Sequence, residues 1–484
     1  MTDLEPTACT LGIDAYQVTT LCAHFDAGRL DHRVDMAFFF RRLPPQRNFV
    51  VVCGLPQIVA HARAMALSED DLAFLDHHPV LGPALAARPA LRRRLLEIRA
   101  FEGDIDGMAE GSLAFAGPAH RTDGTRFEIA GRPVHLVEPI LQVHTDMVRA
   151  KLIETPWLSR LNHLSMVASK AARVVLAAQG KPVVEFGQRR THPAAAVDAS
   201  YAAFVGGCAA TSNLLAARRY GIPATGTMDH FFVQSAERDG VPPARTEREA
   251  FEAYFRAFPD HAILLVDTYD TDRGIENAVA ATGGRLSGIR LDSDVAPERV
   301  RAARARLDAL GAREAKIFVS DRLDETRVEP LARAGADAFG VGERIVCAPD
   351  APAGIGAVAK IVRNGHGRDT MKLAPGKISL PGRVQVYRFD DHDLVSTWEE
   401  PPPAGGAALL VPLWRGRTPT AIACEPPEAA RARARGGIER LPEHLRGVST
   451  GHARPFPLVV SDRLAERIEA EVRAILDGDA APPP

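Results

Sequence analysis

The chain has 484 residues, 46% of them hydrophobic and 25% charged, and a formal net charge of −2, so we expect two or three globular domains and no basic face for nucleic acid. Six widely spaced cysteines without a C-x-x-C pair argue against a disulfide framework or a zinc site, and fit a reducing compartment. No apolar run approaches the ~18 residues of a membrane span, and the acidic, polar first residues lack a signal-peptide pattern, so we expect no membrane association and a cytoplasmic location.

The N-terminal third mixes helix and strand patterns. A first helix is predicted at 14–25, and Tyr16 within it would alone be interpreted as a core aromatic. The apolar runs 34–40 and 49–52 are predicted to be paired strands, and the glycine-rich stretch 103–131 predicts an antiparallel layer. Helices are predicted at 56–66 and 86–101, and residues 1–13 form a predicted tail.

The most regular helical pattern spans residues 158–179. Apolar residues recur in it at intervals of three and four, and Gly180 ends it. It leads into the stretch 181–344, which repeats a short apolar run, polar or glycine residues, and a helical segment. The apolar runs are 181–186, 222–227, 262–266, 286–291, 315–319 and 336–339. Buried runs alternating with helices predict a parallel sheet.

Charged residues stand at the ends of these runs. Because functional residues of a parallel α/β sheet gather at the carboxyl ends of its strands, we interpret them as one site. Arginine can hold phosphate oxygens in a bidentate way, and acids can hold ribose hydroxyls or Mg²⁺. The arginines are Arg189, Arg190, Arg290 and Arg344, and the acids are Asp267, Asp292 and Asp321. Together they predict a site for a phosphorylated sugar.

Four other strand-end residues extend this site. Gly340 and Gly342 alone would indicate a tight turn, but glycine also lets backbone N–H groups approach a phosphate. His230 stands among acids and arginines, where we favour a base or a nitrogen nucleophile towards phosphate over an ordinary surface histidine. Phe186, otherwise barrel core, offers an aromatic face beside Arg189 that suits a flat anionic ring.

Beyond Met371 the pattern changes again. Residues 376–388 alternate, 409–413 form a short apolar run, and 462–476 form a final amphipathic helix before a predicted tail at 480–484. This stretch predicts a return to an antiparallel layer.

The same residues carry a resemblance to nicotinate phosphoribosyltransferases over nearly the full length of the chain. The matching segments are short, but they keep their order and spacing. They are Asp14-Ala15-Tyr16-Gln17, Arg41-Arg42-Leu43-Pro44-Pro45, Glu185-Phe186-Gly187-Gln188-Arg189-Arg190, Thr211-Ser212-Asn213, Gly226-Thr227-Met228-Asp229-His230, Val266-Asp267-Thr268-Tyr269-Asp270, Gly288-Ile289-Arg290-Leu291-Asp292-Ser293, Phe339-Gly340-Val341-Gly342, Lys372-Leu373 and Lys377-Ile378-Ser379-Leu380-Pro381-Gly382.

The resemblance implies a fold and a reaction. The fold is α/β, an irregular α/β barrel of the type II phosphoribosyltransferase kind beside an α/β sandwich layer formed from both chain ends. The reaction joins nicotinate and 5-phosphoribosyl 1-pyrophosphate to give nicotinate mononucleotide and pyrophosphate in NAD salvage, coupled to ATP hydrolysis with Mg²⁺. The implied parts are 1–130 for the N-terminal layer, 131–370 for the barrel with the active site, and 371–484 for the C-terminal layer and tail.

The resemblance also implies residue roles. His230 matches the histidine that ATP phosphorylates, Phe186 the aromatic stacked on nicotinate, and Tyr16 an aromatic that reaches the ring from a neighbouring subunit, so a homodimer with shared active sites is implied. Expected catalytic residues are His230, Asp292 and Arg290; expected substrate-binding residues are Tyr16, Phe186, Arg189, Ser212, Asp267, Ser320, Asp321, Gly340 and Gly342. Some relatives hold zinc in a C-terminal cysteine cluster, but only Cys424 is present there, so we expect no metal-ligating side chains of that kind.

Ser212 bears on which pyridine is used. Its position opens a helical stretch, where capping is the ordinary role, but a hydroxyl can also hydrogen-bond a carboxylate. Related nicotinamide-using enzymes carry an acid at the matching position, which would repel nicotinate. Serine therefore favours nicotinate, with nicotinamide and quinolinate as competing substrates and a catalytically silent nucleotide-binding paralogue as the competing class. The departures at 190–193, 208–210 and 292–294 bear on loop conformation more than on reaction type.

Overall fold

The computed structural model describes residues 10–41, 43–44, 47–129, 131–351, 355–374, 378–447 and 455–477. The tail predicted at 480–484, most of that at 1–13, and the motif residues Arg42, Pro45 and Lys377 lie outside them. The chain forms two compact units: unit 1 holds Met1–Met166, Asp350–Arg446 and Thr450–Pro484, and unit 2 holds Val167–Pro349 and Gly447–Ser449. The division at 130 and 370 expected from sequence stays a prediction.

Unit 1 contains two six-stranded sheets, and each combines strands from both ends of the chain. The first is antiparallel, in the order Ala357–Arg363, Arg33–Phe40, Pro139–Asp146, Gly103–Met108, Leu410–Arg415 and Thr418–Pro419. The second is mixed, in the order Ala407–Ala408, Val384–Arg388, Asp393–Thr397, Leu458–Val460, Ala116–Arg121 and His135–Val137. Two short pairs join Val50–Val51 to Leu113–Ala114 and Glu128–Ile129 to Arg132–Pro133. The predicted layer built from both chain ends is confirmed.

Among the described residues, unit 1 contains a buried cluster of aromatic side chains and eight helices that lie wholly within it. Trp157 lies 5.3 Å from Phe101 and 5.9 Å from Phe38, measured between ring centroids, and all three side chains are buried. The helices are Ala15–Asp26, Leu55–Ala64, Glu69–His77, Leu81–Ala86, Pro89–Glu97, Pro427–Arg440, Glu443–Arg446 and Asp462–Asp477, with a 3₁₀ turn at Ile422–Cys424. Within the described ranges, no helix has the length and apolarity needed to span a bilayer.

Two expectations for unit 1 were wrong. The runs 34–40 and 49–52 do not pair with each other. The strand Arg33–Phe40 is paired on both sides with long antiparallel partners, Ala357–Arg363 and Pro139–Asp146, so it has no free edge for the run 49–52. The predicted helix 86–101 is shorter, Pro89–Glu97, and a separate helix, Leu81–Ala86, ends before it. The break falls at Arg88 because the residue before a proline is disfavoured in the helical conformation.

Unit 2 contains a six-stranded parallel sheet. Its strands are β1 (Val183–Glu185), β2 (Ala210–Thr211), β3 (Ile263–Leu265), β4 (Gly288–Leu291), β5 (Lys316–Val319) and β6 (Ala338–Val341). They are hydrogen-bonded in the order β2-β1-β6-β5-β4-β3. The predicted parallel sheet is confirmed, and β2, with only two residues and no long apolar run, was missed.

The segment predicted as a strand at 222–227 is irregular instead. Thr211, at the edge of the sheet, accepts a hydrogen bond from the N–H of Thr225 at 2.9 Å and donates its own N–H to Pro223 at 3.0 Å. Further along, the N–H of Leu265 on β3 contacts the sulfur of Met228 at 3.2 Å. The segment therefore lies between the two edge strands without a continuous ladder, because Pro223 has no N–H to donate.

Among the described residues of unit 2, four helices begin with a capping Asn or Asp side chain. Asn213, Asp229, Asp270 and Asp324 each accept backbone N–H groups of the following helix. The helices are Pro193–Val205, Leu214–Tyr220, His230–Gln234, Pro243–Ala257, Thr271–Thr282, Pro297–Ala309, Glu325–Arg333 and Glu343–Val346, with a 3₁₀ turn at Gln188–Arg190. The helix predicted at 158–179 runs from Met147 to Ala177 and contains Pro156.

Candidate active site

A cavity of about 810 Å³ lies at the carboxyl ends of the unit 2 strands. Its lining contains nine of the twelve residues expected to form the site: Phe186, Arg189, Ser212, Arg290, Asp292, Ser320, Asp321, Gly340 and Gly342. Two more, His230 and Asp267, are linked to Asp292. The twelfth, Tyr16, belongs to unit 1, where its side chain is 48% exposed. The fold thus brings eleven of these residues together from distant parts of the sequence.

Asp292 is held from several sides. Its backbone N–H donates to Asp267 Oδ2 at 2.6 Å, and its Oδ1 accepts from the Ser320 hydroxyl at 2.7 Å. Its Oδ2 lies 3.7 Å from His230 Nε2 and 3.8 Å from Arg290 Nη2. A carboxylate oriented in this way presents a fixed negative charge to the cavity.

His230 is the first residue of a short helix that Asp229 caps through the N–H of Phe232, at 3.0 Å. Its Nδ1 lies 3.1 Å from the Thr268 hydroxyl, and its side chain is 36% exposed. If Nδ1 carries the proton and donates to Thr268, the lone pair of Nε2 is left on the side of Asp292. The geometry therefore places a ring nitrogen of this partly exposed histidine beside Asp292, which lines the cavity.

Arg290 lies at the junction of β4 and the irregular segment. Its Nη1 donates to the Met228 carbonyl at 2.8 Å and to the Thr227 hydroxyl, and its side chain is only 11% exposed. Burial lowers the pKa of Arg290, and the charges of Asp292 and Asp267 oppose that effect. Its Nε is buried with no hydrogen-bond partner among the described residues. This guanidinium is therefore both fixed and short of acceptors.

Three further arginines line the cavity without protein partners. Among the described residues, the guanidinium groups of Arg189, Arg190 and Arg344 make no hydrogen bond or ion pair, and all three residues are exposed. Positive charges left open in a cavity suit an anionic ligand with several oxygens, such as a phosphate or pyrophosphate.

The Phe186 segment accounts for two glycines, Gly340 in β6 and Gly342 just after it. Its ring stacks on Phe318 with centroids 5.7 Å apart, and a Cβ at Gly340 would lie 2.6 Å from the Phe186 ring. A Cβ at Gly342 would lie 2.8 Å from the Phe186 carbonyl oxygen. Both glycines are thus required for the approach of the Phe186 segment, whatever they also offer to a phosphate.

Glu185 organises this corner of the site, a role the sequence did not reveal although the residue lies in a matching motif. Its buried carboxylate accepts from the hydroxyls of Ser200 at 2.8 Å and Thr211 at 2.7 Å, and from the N–H of Gly187. Its carbonyl accepts the N–H of Ser212 at 2.9 Å. Phe186 and Ser212 are therefore positioned by one buried side chain and its backbone.

Asp321 faces the cavity, but its carboxylate is already engaged. Its Oδ2 accepts from Arg327 at 3.1 Å and from the N–H of Val295 at 3.3 Å. Burial alone would raise the pKa of Asp321, but these donors and the charge of Arg327 lower it. The first effect of this carboxylate is to tie the loops after β4 and β5 together.

Three aromatic residues of the cavity lining, Phe232, Tyr254 and Phe258, were not expected from the sequence. Tyr254 and Phe258 lie at the end of the helix Pro243–Ala257 and just after it, so no strand-end pattern marked them.

Two family models match consecutive parts of the chain. Residues 11–162 match the model described as the nicotinate phosphoribosyltransferase (NAPRTase) N-terminal domain. Residues 167–350 match the model described as the quinolinate phosphoribosyl transferase C-terminal domain. The second match covers almost the same residues as unit 2.

Relatives match over most of the chain. It is 37% identical over 469 residues to a nicotinate phosphoribosyltransferase of Mycobacterium tuberculosis, covering 93% of this chain and 91% of the relative. It is 30% identical over 552 residues to the nicotinate phosphoribosyltransferase of Homo sapiens, covering 96% of each.

Solved structures agree. The crystal structure of human nicotinic acid phosphoribosyltransferase superposes with a TM-score of 0.75 at 26% identity, covering 94% of this chain and 99% of that one. A nicotinate-nucleotide pyrophosphorylase from Pyrococcus furiosus, at 23% identity, shares the fold with a TM-score of 0.70, covering 91% and 97%. The resemblance and fold class inferred from the sequence are thus confirmed, and the chain belongs to the nicotinate phosphoribosyltransferase family.

Proposed function

We propose that this protein forms nicotinate mononucleotide and pyrophosphate from nicotinate and 5-phosphoribosyl 1-pyrophosphate in cytoplasmic NAD salvage, with the reaction coupled to ATP hydrolysis. The observation that carries the proposal is one cavity in which an aromatic face, unpaired arginines and an oriented carboxylate meet. The named relatives support the same reaction.

The pyridine ring would stack on the cavity side of Phe186. Arg189 can pair with the ring's carboxylate, and the Ser212 hydroxyl can donate to it because it makes no hydrogen bond to the described residues. A neutral amide would lose the charge-assisted part of these contacts. This set therefore supports nicotinate over nicotinamide.

The bond change needs no strong general base. The lone pair of the pyridine nitrogen attacks C1′ of the ribose, and the C1′–O bond breaks, leaving its electron pair on pyrophosphate. Positive charge develops on the ribose, where Asp292 opposes it, and negative charge on the leaving group, where the open arginines stabilise it. The fixed geometry of Asp292 and Arg290 means that little reorganisation is needed during the reaction.

Mg²⁺ is the metal that this reaction would use. Among the described residues, no cluster of three or more His, Cys, Asp and Glu side chains could hold a metal by itself. That fits Mg²⁺, which is commonly bound through one or two carboxylates together with substrate phosphates and water. Asp292 would hold it from the protein side, and the ion would neutralise part of the pyrophosphate charge.

ATP coupling would involve His230. The lone pair of Nε2 would attack the γ-phosphorus while the P–O bond to ADP breaks, and ADP would leave with the electron pair. A phosphorylated ring would add ~−1.5 to −2 charge beside Asp292 and Arg290, if it behaves like other phosphorylated side chains. That charge would reorganise the arginines that receive pyrophosphate.

We further propose a homodimer in which Tyr16 of one protomer completes the pyridine site of its partner. The exposure of Tyr16, with the Lys151 ammonium 5.2 Å from its ring centroid, supports this role. Sedimentation at working concentration tests the dimer, and a monomer with full activity would contradict the shared site.

The function is tested with purified protein, phosphoribosyl pyrophosphate and Mg²⁺, offered nicotinate, nicotinamide or quinolinate with and without ATP. Nicotinate mononucleotide, identified by mass, should form from nicotinate and increase with ATP. Quinolinate is the pyridine that competes most directly, because the unit 2 residues match a quinolinate family model. If the protein prefers nicotinamide or quinolinate, the proposed substrate is wrong. If no pyridine gives a product, the protein is a catalytically silent nucleotide-binding paralogue.

A further inference from the structure

Phe232, Tyr254 and Phe258 form a continuous aromatic surface in the cavity, which we call the aromatic shelf. The rings of Phe232 and Tyr254 meet edge to face with centroids 6.0 Å apart, and those of Tyr254 and Phe258 are 5.2 Å apart. All three line the cavity that also contains Phe186, but they come from other elements: the helix His230–Gln234 and the end of Pro243–Ala257. The cavity therefore has two separate aromatic surfaces.

Helix packing accounts for only part of this surface. Phe232 and Tyr254 are half-buried and bring their helices together, but Phe258 is 52% exposed. A large apolar ring left open in a cavity with charged walls is a common feature of ligand sites, where a planar group covers it. The reaction of nicotinate with phosphoribosyl pyrophosphate uses one flat ring, for which Phe186 is already available.

The neighbours of the shelf indicate what kind of ligand it receives. Burial raises the pKa of Tyr254, and the positive charge of Arg290 opposes this, so the Arg290 guanidinium acts on the shelf. Phe232 lies two residues beyond His230 on the same short helix. A ligand with a planar base at one end and phosphates at the other would thus meet an aromatic surface, a fixed guanidinium and a histidine.

We propose that the aromatic shelf binds the adenine of ATP, with its phosphates directed towards Arg290 and His230. The proposal rests on the ATP coupling of the proposed function and adds to it the subsite that holds the base. A base stacked on an aromatic side chain typically loses ~1–3 kcal/mol on truncation to alanine, which corresponds to roughly 5- to 100-fold in affinity.

The test compares ATP with inorganic tripolyphosphate, which has similar phosphates but no base. Dissociation constants of both are measured by calorimetry, in the presence of Mg²⁺, for the wild-type protein, Phe258→Ala and Phe258→Tyr. ATP should bind the wild type more tightly than tripolyphosphate. Phe258→Ala should lose roughly 5- to 100-fold of the ATP affinity with little change for tripolyphosphate, and Phe258→Tyr, which keeps a ring, should retain most of it.

Phe231→Ala is the matched control. Phe231 lies on the same helix as Phe232 and is 76% exposed, but it does not line the cavity. Removing its ring should change neither dissociation constant. An equal loss of ATP affinity in Phe231→Ala and Phe258→Ala would show a general effect of apolar truncation and overturn the proposal.

Other outcomes separate this inference from the function on which it rests. An unchanged ATP affinity in Phe258→Ala, or an equal loss of affinity for tripolyphosphate, overturns the shelf as the adenine subsite. So does a wild type that binds ATP no more tightly than tripolyphosphate. The ATP coupling itself is tested by a different measurement. It fails if ATP does not stimulate nicotinate mononucleotide synthesis by the wild-type protein.

Discussion

The described part of unit 2 contains two groups of charged side chains, one buried and ion-paired and the other exposed and unpaired. In one, Lys170 and Arg173 bind the two carboxylate oxygens of Glu325, at 2.5 and 2.9 Å, and all three side chains are at most 6% exposed. In the other, the cavity, Arg189, Arg190 and Arg344 are exposed to solvent with no acceptor among the described residues. The first group, which we call the matched group, is ion-paired inside the protein. The second leaves its charges open to a ligand.

The difference follows from the cost of burying charge. A charge removed from water must be paired and hydrogen-bonded, or it destabilises the fold by several kcal/mol. A charge at an open cavity keeps its water until a substrate replaces it, so it can stay unpaired in the free protein. Loss of a matched group should therefore reduce stability, and loss of a cavity group should reduce activity.

The largest expected effect is on the matched group. Glu325→Ala should lower the free energy of unfolding by about 3–5 kcal/mol, because it removes a carboxylate partner from two buried cations. Denaturant unfolding measures this. The control is Glu329→Ala on the same helix, whose ion pair with Arg333 is partly exposed and should contribute less than about 1 kcal/mol. Equal losses in the two variants would contradict the comparison.

The pH dependence of the same group has a definite sign. Burial raises the pKa of Glu325, but the charge and hydrogen bond of Lys170 and the charge of Arg173 lower it overall. When the pKa of an acid is lower in the folded protein than in the unfolded chain, its ionised form stabilises the fold. This stabilisation is complete when the pH is above the unfolded-state pKa, and it is lost as the pH falls through the folded-state pKa. The stability difference between wild type and Glu325→Ala should therefore shrink in acid.

In the cavity, Asp292→Asn should reduce kcat/KM by about 10²–10³ while leaving stability nearly unchanged, because the lost charge acts on the ribose in the transition state. Asp294→Asn is the control in the same loop: Asp294 is exposed, does not line the cavity, and has φ of 47°, which asparagine also tolerates. Comparable activity losses in both would show a loop effect and not a catalytic charge.

His230→Ala should fold normally and lose its stimulation by ATP, with some ATP-independent synthesis of nicotinate mononucleotide remaining. The measurement is the rate with and without ATP, beside His261→Ala, an exposed histidine of unit 2 that does not line the cavity. Undiminished ATP stimulation in His230→Ala would make the phosphohistidine role wrong.

Gly340→Ala should reduce both activity and stability, because a Cβ at this position would lie 2.6 Å from the Phe186 ring. Displacement of that ring should raise KM for nicotinate and cost about 1–3 kcal/mol of stability, as overpacking does. At Gly226, which also lines the cavity, a Cβ would meet nothing within 4 Å, so Gly226→Ala should leave stability unchanged. An unchanged KM for nicotinate in Gly340→Ala would contradict the proposal that the pyridine ring stacks on Phe186.

The smallest effect concerns a buried acid pair in unit 1. Glu138 accepts the N–H of Phe115 at 2.7 Å beside Asp393, which Arg388 holds at 2.6 Å. Burial, and then the charge of Asp393, raise the pKa of Glu138 well above its ordinary value. The stability that neutral Glu138 contributes is therefore complete when the pH is below the ordinary pKa of a glutamate. It is lost as the pH rises through the raised pKa of the folded state. Glu138→Gln, followed by thermal unfolding at several pH values, should weaken this loss at high pH.

Local patterns predicted much of the site because parallel strands impose a common edge. Asp292 and Ser320 follow β4 and β5 directly, so their position at the same edge of the sheet could be expected from the strand-end rule. The hydrogen bond of 2.7 Å between them is what the structure adds. His230 was also predicted, although the run before it is not a strand but an irregular segment that bonds to the edge of the sheet. The structure places His230 beside Asp292, and the strand predicted for the run before it was wrong.

The sequence by itself determined the βα rhythm of unit 2, the strand-end residues and the family. Tertiary structure alone decided that the run 34–40 pairs with strands far away in the sequence, that Glu185 holds Phe186 and Ser212, and that Phe258 shares a cavity with Asp292. Periodicity and motifs report interactions between neighbours in the chain. Which strands pair across a sheet depends on which distant segments pack together, and so does the burial of the Glu185 carboxylate among its three donors. No local pattern in the sequence specifies that packing.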